Sequence, residues 1–132
     1  MARSETALRF VDRINAHDVG GLLGLMTTDH VFVDSLGLES PRPAIEEGWR
    51  QYFEMVPDYR VKIISSVEDG SNIILIGSAG GTYVTKGGSA KSENEWETPA
   101  VWVARIRGEK VAEWRVYCDN EPIRQRMRQE KR

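Results

Sequence analysis

The chain has 132 residues, of which 18 are basic and 20 are acidic, giving a formal net charge of −2. This length is typical of one domain, and we treat residues 1–132 as a single domain. The charge balance argues against a nucleic acid partner, because phosphate binding requires a basic excess. No apolar run reaches the ~20 residues that span a membrane, so no membrane partner is expected.

Cys118 is the only cysteine, which excludes an internal disulfide and fits a reducing compartment. We expect its thiol to be a small buried group rather than a nucleophile. The first residues contain no apolar run of signal-peptide length, so the sequence predicts a cytoplasmic protein. His17 and His30 lie apart from any cysteine or paired carboxylate at ligand spacing, so no metal is predicted.

The first half of the chain is mostly helical in pattern. Apolar residues recur at steps of three and four from residue 4 to 16 and again from 43 to 56, which predicts two amphipathic helices. Between them, Asp18 is placed to cap a short helix. Residues 31–34 predict a short strand, and residues 36–42 predict a loop.

The second half predicts four consecutive strands, at about residues 59–67, 73–84, 96–106 and 110–119. Short turns between them favour an antiparallel meander. Residues 86–92 predict a polar loop, and residues 120–132 a basic, solvated tail. The fold class is therefore α+β in the order α-α-β-α-β-β-β-β, with three helices on one face of a bent sheet and a conical space between them.

Two segments resemble a known superfamily. Asn15-Ala16-His17-Asp18, continued through Leu22 to Asp34, is similar to the ketosteroid isomerase stretch that ends in a catalytic aspartate. The run from Trp114 to Asp119 is similar to the last strand of the limonene-type epoxide hydrolases, Trp-Arg-x-Tyr-x-Asp. The chain thus resembles the nuclear-transport-factor-two-like superfamily, which includes the SnoaL-like polyketide cyclases. The resemblance implies a cone-shaped, curved, mostly antiparallel sheet of the cystatin-like roll type.

The chain also departs from both groups. The two oxyanion-hole positions of the isomerases correspond to Phe10 and Val101, neither of which can donate from its side chain. The Arg and Asp of the hydrolases correspond to Ser78 and Gly80, and their water-holding tyrosine to Phe32. Neither catalytic set is therefore complete.

Asp34 is the first catalytic candidate. By the resemblance it would point into the cone, where an apolar environment would favour a general acid or base. Alternatively, it begins the turn Asp34-Ser35-Leu36-Gly37, a common role for aspartate.

Asp119 is the second candidate, as an acid or base opposite Asp34 or as the cap of a helix in the tail. On a regular strand it shares a face with Tyr117, whereas Trp114 and Cys118 face the other way. The hydrolase resemblance puts the first set in the pocket, and the isomerase resemblance puts the second set there.

The predicted function is a SnoaL-like enzyme for isomerisation or cyclisation, with an apolar cyclic, polyketide-like or steroid-like ligand in the cone and no cofactor. Alternatives are a non-catalytic binding or dimerisation module and an epoxide-hydrolase-like hydrolase. The resemblance also implies a homodimer through the outer sheet face. The predicted ligand-binding residues are Tyr117, Trp102, Phe10, Phe32, Trp49, Phe53, Val101 and Trp114.

Overall fold

The computed structural model describes residues 2–85 and 88–130, which form four α-helices and six strands. The helices are α1 (Arg3–Asn15), α2 (Val19–Gly24), α3 (Arg42–Met55) and α4 (Glu121–Glu130), and a 3₁₀ turn covers Ser92–Asn94. The strands are β1 (Met26–Val33), β2 (Glu39–Pro41), β3 (Arg60–Asp69), β4 (Asn72–Thr82), β5 (Glu95–Arg107) and β6 (Lys110–Cys118).

The six strands form one curved, unclosed sheet in the order β2-β1-β6-β5-β4-β3. Strands β1 and β6 pair in parallel, and the other four pairings are antiparallel. The predicted α+β fold with a curved, mostly antiparallel sheet is therefore confirmed. None of the described helices is long and apolar enough to cross a membrane.

The core lies between α1 and the inner face of the sheet. The helical spacing of the apolar residues in α1 turns Ala7, Phe10 and Ile14 toward the sheet, and all three are almost fully buried. Strand β5 alternates buried and more exposed residues along its length, as expected for a strand with one face on a core. Phe10 packs on Trp114 of β6 with ring centroids 4.6 Å apart, so the two layers meet through large aromatic rings.

The segment after α1 ties the helices to the edge of the sheet. The side-chain amide of Asn15 accepts from the Val61 backbone N–H at 2.7 Å and donates to the Val61 carbonyl at 2.9 Å. The His17 Nε2 atom lies 2.9 Å from the Tyr59 carbonyl, and the His17 ring stacks on Phe53 at 4.2 Å. Asp18 caps α2 by accepting from the Gly21 N–H, as predicted. These contacts position the segment that leads into β3.

Two sequence expectations are corrected. Residues 39–41, expected in a loop, form strand β2 and pair with β1. The tail, expected to be solvated, forms α4 over Glu121–Glu130, so the described chain has four helices rather than three. Its Ile123 is buried against Val56 and Trp96, which supplies the packing that holds the helix. Residues 86, 87, 131 and 132 of the predicted loop and tail lie outside the described residues.

The outer face of the sheet carries a group of apolar residues, several of them exposed. The strand registers align Ile76 with Val101 and Val101 with Tyr117, so one row of side chains crosses three strands. Ile76 and Tyr117 are both exposed. Ile64 lies at the irregularity in the β3–β4 pairing and is 81% exposed. We call these four residues, together with Val67, the outer apolar strip.

Candidate functional site

A cavity of about 310 Å³ lies between α3 and the inner face of the sheet. Trp102, Trp114 and Phe32 face it from the sheet, and Trp49 and Tyr52 from α3. Six of its fifteen lining residues are aromatic and most of the others are apolar or small, which makes it suitable for a mainly apolar small molecule. Besides two tyrosines, five residues with polar side chains line it, namely Asp34, Ser35, Ser40, Cys118 and Asn120.

Asp34 combines the two roles that the sequence left open. Its Oδ1 accepts the backbone N–H groups of Leu36 and Leu38 at 2.9 and 3.0 Å, which closes the turn after β1. Gly37 completes that turn with φ +83°, a conformation that glycine adopts without strain. The same side chain lines the cavity, and its Oδ2 has no hydrogen-bond partner among the described residues. The turn therefore holds the carboxylate and leaves one oxygen for a ligand.

Tyr52 and Tyr59 bring two phenol groups to the cavity that the sequence analysis did not select. Their rings meet edge to face, 4.9 Å apart at 88°. Burial raises the pKa of both phenols above the usual range, and the Cys118 thiol adds to this rise. Both hydroxyls therefore stay protonated and can donate to a ligand.

The position of Tyr59 depends on a close approach between its backbone and Gly81 of β4. A side chain on Gly81 of β4 would meet Val56 Cγ1 at 2.4 Å and the Tyr59 Cα at 3.2 Å, so only glycine lets this segment lie against the sheet. Asp58 fastens the same segment by accepting from the backbone N–H of Thr82 at 2.6 Å and from its hydroxyl at 2.8 Å. Spacing in the sequence gives no sign of this contact, which explains why Tyr59 was missed.

A chain of three polar groups joins the two strand ends at the cavity. The Cys118 thiol donates to Asn120 Oδ1 at 3.3 Å, and Asn120 Nδ2 donates to the Ser35 hydroxyl at 2.7 Å. Burial, with a smaller effect of the Asp119 carboxylate, raises the pKa of the Cys118 thiol. The thiol is thus a neutral donor within this chain, and the predicted absence of a nucleophilic role for Cys118 stays a prediction.

Half of the predicted site residues line the cavity and half do not. Asp34, Phe32, Trp49, Trp102 and Trp114 are in its lining. Phe10 is fully buried behind Trp114, and Phe53 lies behind Trp49 with ring centroids 5.3 Å apart. These two residues support the lining without reaching it.

Strand β6 decides the question of which face lines the pocket. Trp114, Val116 and Cys118 point into the cavity. Tyr117 is 51% exposed and pairs with Val101 on the outer face, so the expectation that these two residues line the pocket is corrected. Asp119 also lies outside the lining, and its Oδ1 accepts the Glu121 N–H at 2.9 Å at the start of α4. The placement therefore follows the isomerase resemblance, and Asp119 takes the capping role.

The described residues contain no group of three or more His, Cys, Asp or Glu side chains that could hold a metal ion. His30 is buried in β1, where its Nδ1 lies 2.6 Å from the Val111 carbonyl. Burial lowers its pKa, which favours the neutral ring within the core. His30 therefore belongs to the packing of β1 on β6 and not to the cavity lining.

Comparison with known proteins settles the family. The profile of the SnoaL-like domain family matches residues 7–114. The chain belongs to the SnoaL-like family. No curated protein matches it in sequence. The matched region of this SnoaL-like chain includes the turn at Asp34 and ends within β6, before Cys118, Asn120 and α4.

Solved structures share the fold of this SnoaL-like chain at low sequence identity. A protein from Shewanella putrefaciens, provisionally named a SnoaL-like polyketide cyclase, is 18% identical with a TM-score of 0.80, over 98% of this chain and 88% of its own. A ketosteroid isomerase-like protein from Catenulispora acidiphila, solved with trimethylamine, is 19% identical with a TM-score of 0.71, over 86% and 84%. A cystatin-fold protein from Novosphingobium aromaticivorans is 19% identical with a TM-score of 0.73, over 88% and 97%. Identities this low establish the fold alone.

Proposed function

We propose that this chain is a small-molecule enzyme that binds an apolar, cyclic or polyketide-like ligand in the cavity and uses Asp34 to move a proton. The observation that carries the proposal is the Asp34 carboxylate in a largely aromatic cavity, with Oδ1 held by two backbone N–H groups and Oδ2 unpaired among the described residues. A fixed carboxylate in an apolar site suits general acid–base catalysis. No cofactor is needed for this chemistry.

The ligand's polar atom has defined partners in this proposal. Phe10 and Val101 offer no donors at the two family positions, but Tyr52 and Tyr59 line the cavity and their phenols are neutral. In this proposal a carbonyl oxygen of the ligand accepts a hydrogen bond from one of these phenols. We propose the cytoplasm as the place of action, which suits the free, half-buried thiol of Cys118.

Proton exchange on a model ketone tests the role of Asp34. In water, we expect the chain to remove deuterium from the α-carbon of deuterated 1-tetralone faster than buffer does, with the loss followed by mass spectrometry. Asp34→Asn should slow this exchange at least about 100-fold, since an amide cannot accept the proton. Its Oδ1 can still accept the two turn N–H groups, so the fold is preserved.

Asp119→Asn is the matched control, because Asp119 is a carboxylate outside the lining and asparagine also caps helices. It should leave the exchange rate unchanged. Equal rates in the parent chain and in Asp34→Asn would refute the proposed role of Asp34.

The second candidate is a binding module without catalysis, which the engagement of Asp34 in its own turn favours. Binding of 1-tetralone, seen by quenching of the cavity tryptophans, without faster exchange would support this candidate instead. The hydrolase alternative required Asp119 in the pocket, and the position of Asp119 outside the lining disfavours that function.

We also propose a homodimer that forms through the outer apolar strip. Ile64, Val67 and Tyr117 of the strip are each at least half exposed, and exposed apolar side chains grouped on one face are typical of protein contacts. Light scattering at high concentration should report twice the mass of the 15.0 kDa chain. Ile76→Glu should shift the sample to monomer, because it would place two charges in the contact. A monomeric parent chain would contradict this proposal.

A further inference from the structure

The only charged side chain in the cavity lining among the described residues is acidic. Asp34 is its only acidic residue, and no lysine, arginine or histidine is present among the described residues that line it. Arg124 of α4 is exposed and lies outside the lining, although its charge acts on the Cys118 thiol. A ligand that enters the cavity therefore meets one carboxylate and no opposing positive side chain in the wall.

Four aromatic rings of the lining contact one another in sequence, and the planes of each contacting pair are steeply inclined. Trp49 lies 6.1 Å from Phe32 at 75° and 6.5 Å from Tyr52 at 89°, and Tyr52 meets Tyr59 at 88°. The planes of successive rings are thus steeply inclined to one another, and Trp102 and Trp114 add two rings to the lining from the sheet. The face of an aromatic ring attracts a cation within about 6 Å of its centre, most strongly for tryptophan.

From these two features we propose that the ligand of this cavity carries a positively charged nitrogen, as a protonated or quaternary amine attached to an apolar body. The nitrogen would lie against the aromatic faces and beside Asp34 Oδ2. The inference rests on the proposed ligand site, and it adds the charge class of the ligand.

Alternative ligand charges fit the lining less well. A neutral apolar ligand would remove water from Asp34 Oδ2 and leave that oxygen without a partner, which is costly for a carboxylate. An anionic ligand would meet both the carboxylate and the electron-rich ring faces. A cation satisfies the carboxylate and the rings together.

The same charge suits the proposed proton transfer. When a protonated amine gives its N–H proton to Asp34 Oδ2, the N–H bond breaks, its electron pair stays on the nitrogen, and an O–H bond forms on the carboxyl group. Both partners then become neutral, so no unpaired charge is left in the apolar cavity. A quaternary amine has no such proton and would bind without this step.

Two probes of the same shape test the proposal. Choline and 3,3-dimethylbutan-1-ol differ by a quaternary nitrogen in place of a carbon, and their binding can be followed by the fluorescence of the cavity tryptophans. We expect choline to bind at least about tenfold more tightly than the alcohol. Asp34→Asn should reduce the choline affinity toward that of the alcohol, and Asp119→Asn should leave both affinities unchanged.

Each contrary result overturns the proposal. Equal or tighter binding of the alcohol, no binding of choline, or a tenfold preference that survives in Asp34→Asn would each refute it. These outcomes can be distinguished from failure of the proposed function. Exchange of 1-tetralone that depends on Asp34, without a preference for choline, would refute the charge assignment alone.

Discussion

Replacement of Trp114 by alanine should reduce the free energy of unfolding by about 3–5 kcal/mol, because it opens a hole where α1 meets the sheet. Trp114 is 1% exposed, packs on Phe10, and also forms part of the cavity wall. A loss of this size is a large share of the roughly 5–15 kcal/mol that stabilises a typical domain. Urea denaturation followed by circular dichroism measures it.

Tyr117→Ala is the matched control for this change, since it removes an aromatic ring from the same strand but from the outer face. We expect it to cost no more than about 1 kcal/mol when both variants are compared in the same state of assembly. A loss below about 1.5 kcal/mol for Trp114→Ala would show that the surrounding core closes around the missing ring.

Replacement of Gly48 by phenylalanine should abolish ligand binding at an unchanged or higher stability. Gly48 lies within α3 in the cavity lining, and a Cβ there would meet no atom within 4 Å. A large side chain at this position would therefore occupy space that a ligand needs. Because glycine inside a helix costs about 1 kcal/mol relative to alanine, the substitution does not weaken the helix. Of choline and 3,3-dimethylbutan-1-ol, the probe that binds the parent chain more tightly should show no detectable binding to this variant by tryptophan fluorescence.

Gly24→Phe provides the control for Gly48→Phe. Gly24 ends α2 outside the lining, and a Cβ there also meets nothing within 4 Å. This variant should bind the probe like the parent chain. Normal binding by Gly48→Phe would mean that ligands use another part of the molecule.

The fold could be predicted because the apolar spacing, the helix caps and the strand alternation in the sequence all indicate the same set of elements. The apolar spacing of α1, the cap at Asp18 and the alternation along β5 all describe elements whose buried faces fit together. The helix at residues 121–130 was expected only as the helix that Asp119 would cap in one of its two possible roles, because basic residues dominate the composition of the tail. Ile123 and Met127, four residues apart and both in the apolar cluster that contains Trp96, were the further signal.

The site could be predicted only in part, because which face of β6 turns inward is a tertiary property. Both faces carry an aromatic residue, Trp114 on one and Tyr117 on the other, so alternation alone could not select the inner face. Likewise, in the sequence pattern Tyr52 is one more member of the apolar face of the helix predicted at residues 43–56. The contact of its ring with Tyr59 depends on Gly81, which allows the Tyr59 segment to lie against the sheet.

The side-chain amide of Asn15 also bears on how copies of this protein meet. Strand β3 is at one edge of the sheet, and an open edge can recruit a strand from another molecule and start aggregation. Asn15 forms hydrogen bonds with both backbone groups of Val61, as a neighbouring strand would. Near the start of β3, these two groups are therefore not available to a strand from another molecule. At the other edge, β2 is only three residues long and offers little to extend. Both features therefore limit where the sheet can be extended by a strand from another molecule, which disfavours growth into a fibre.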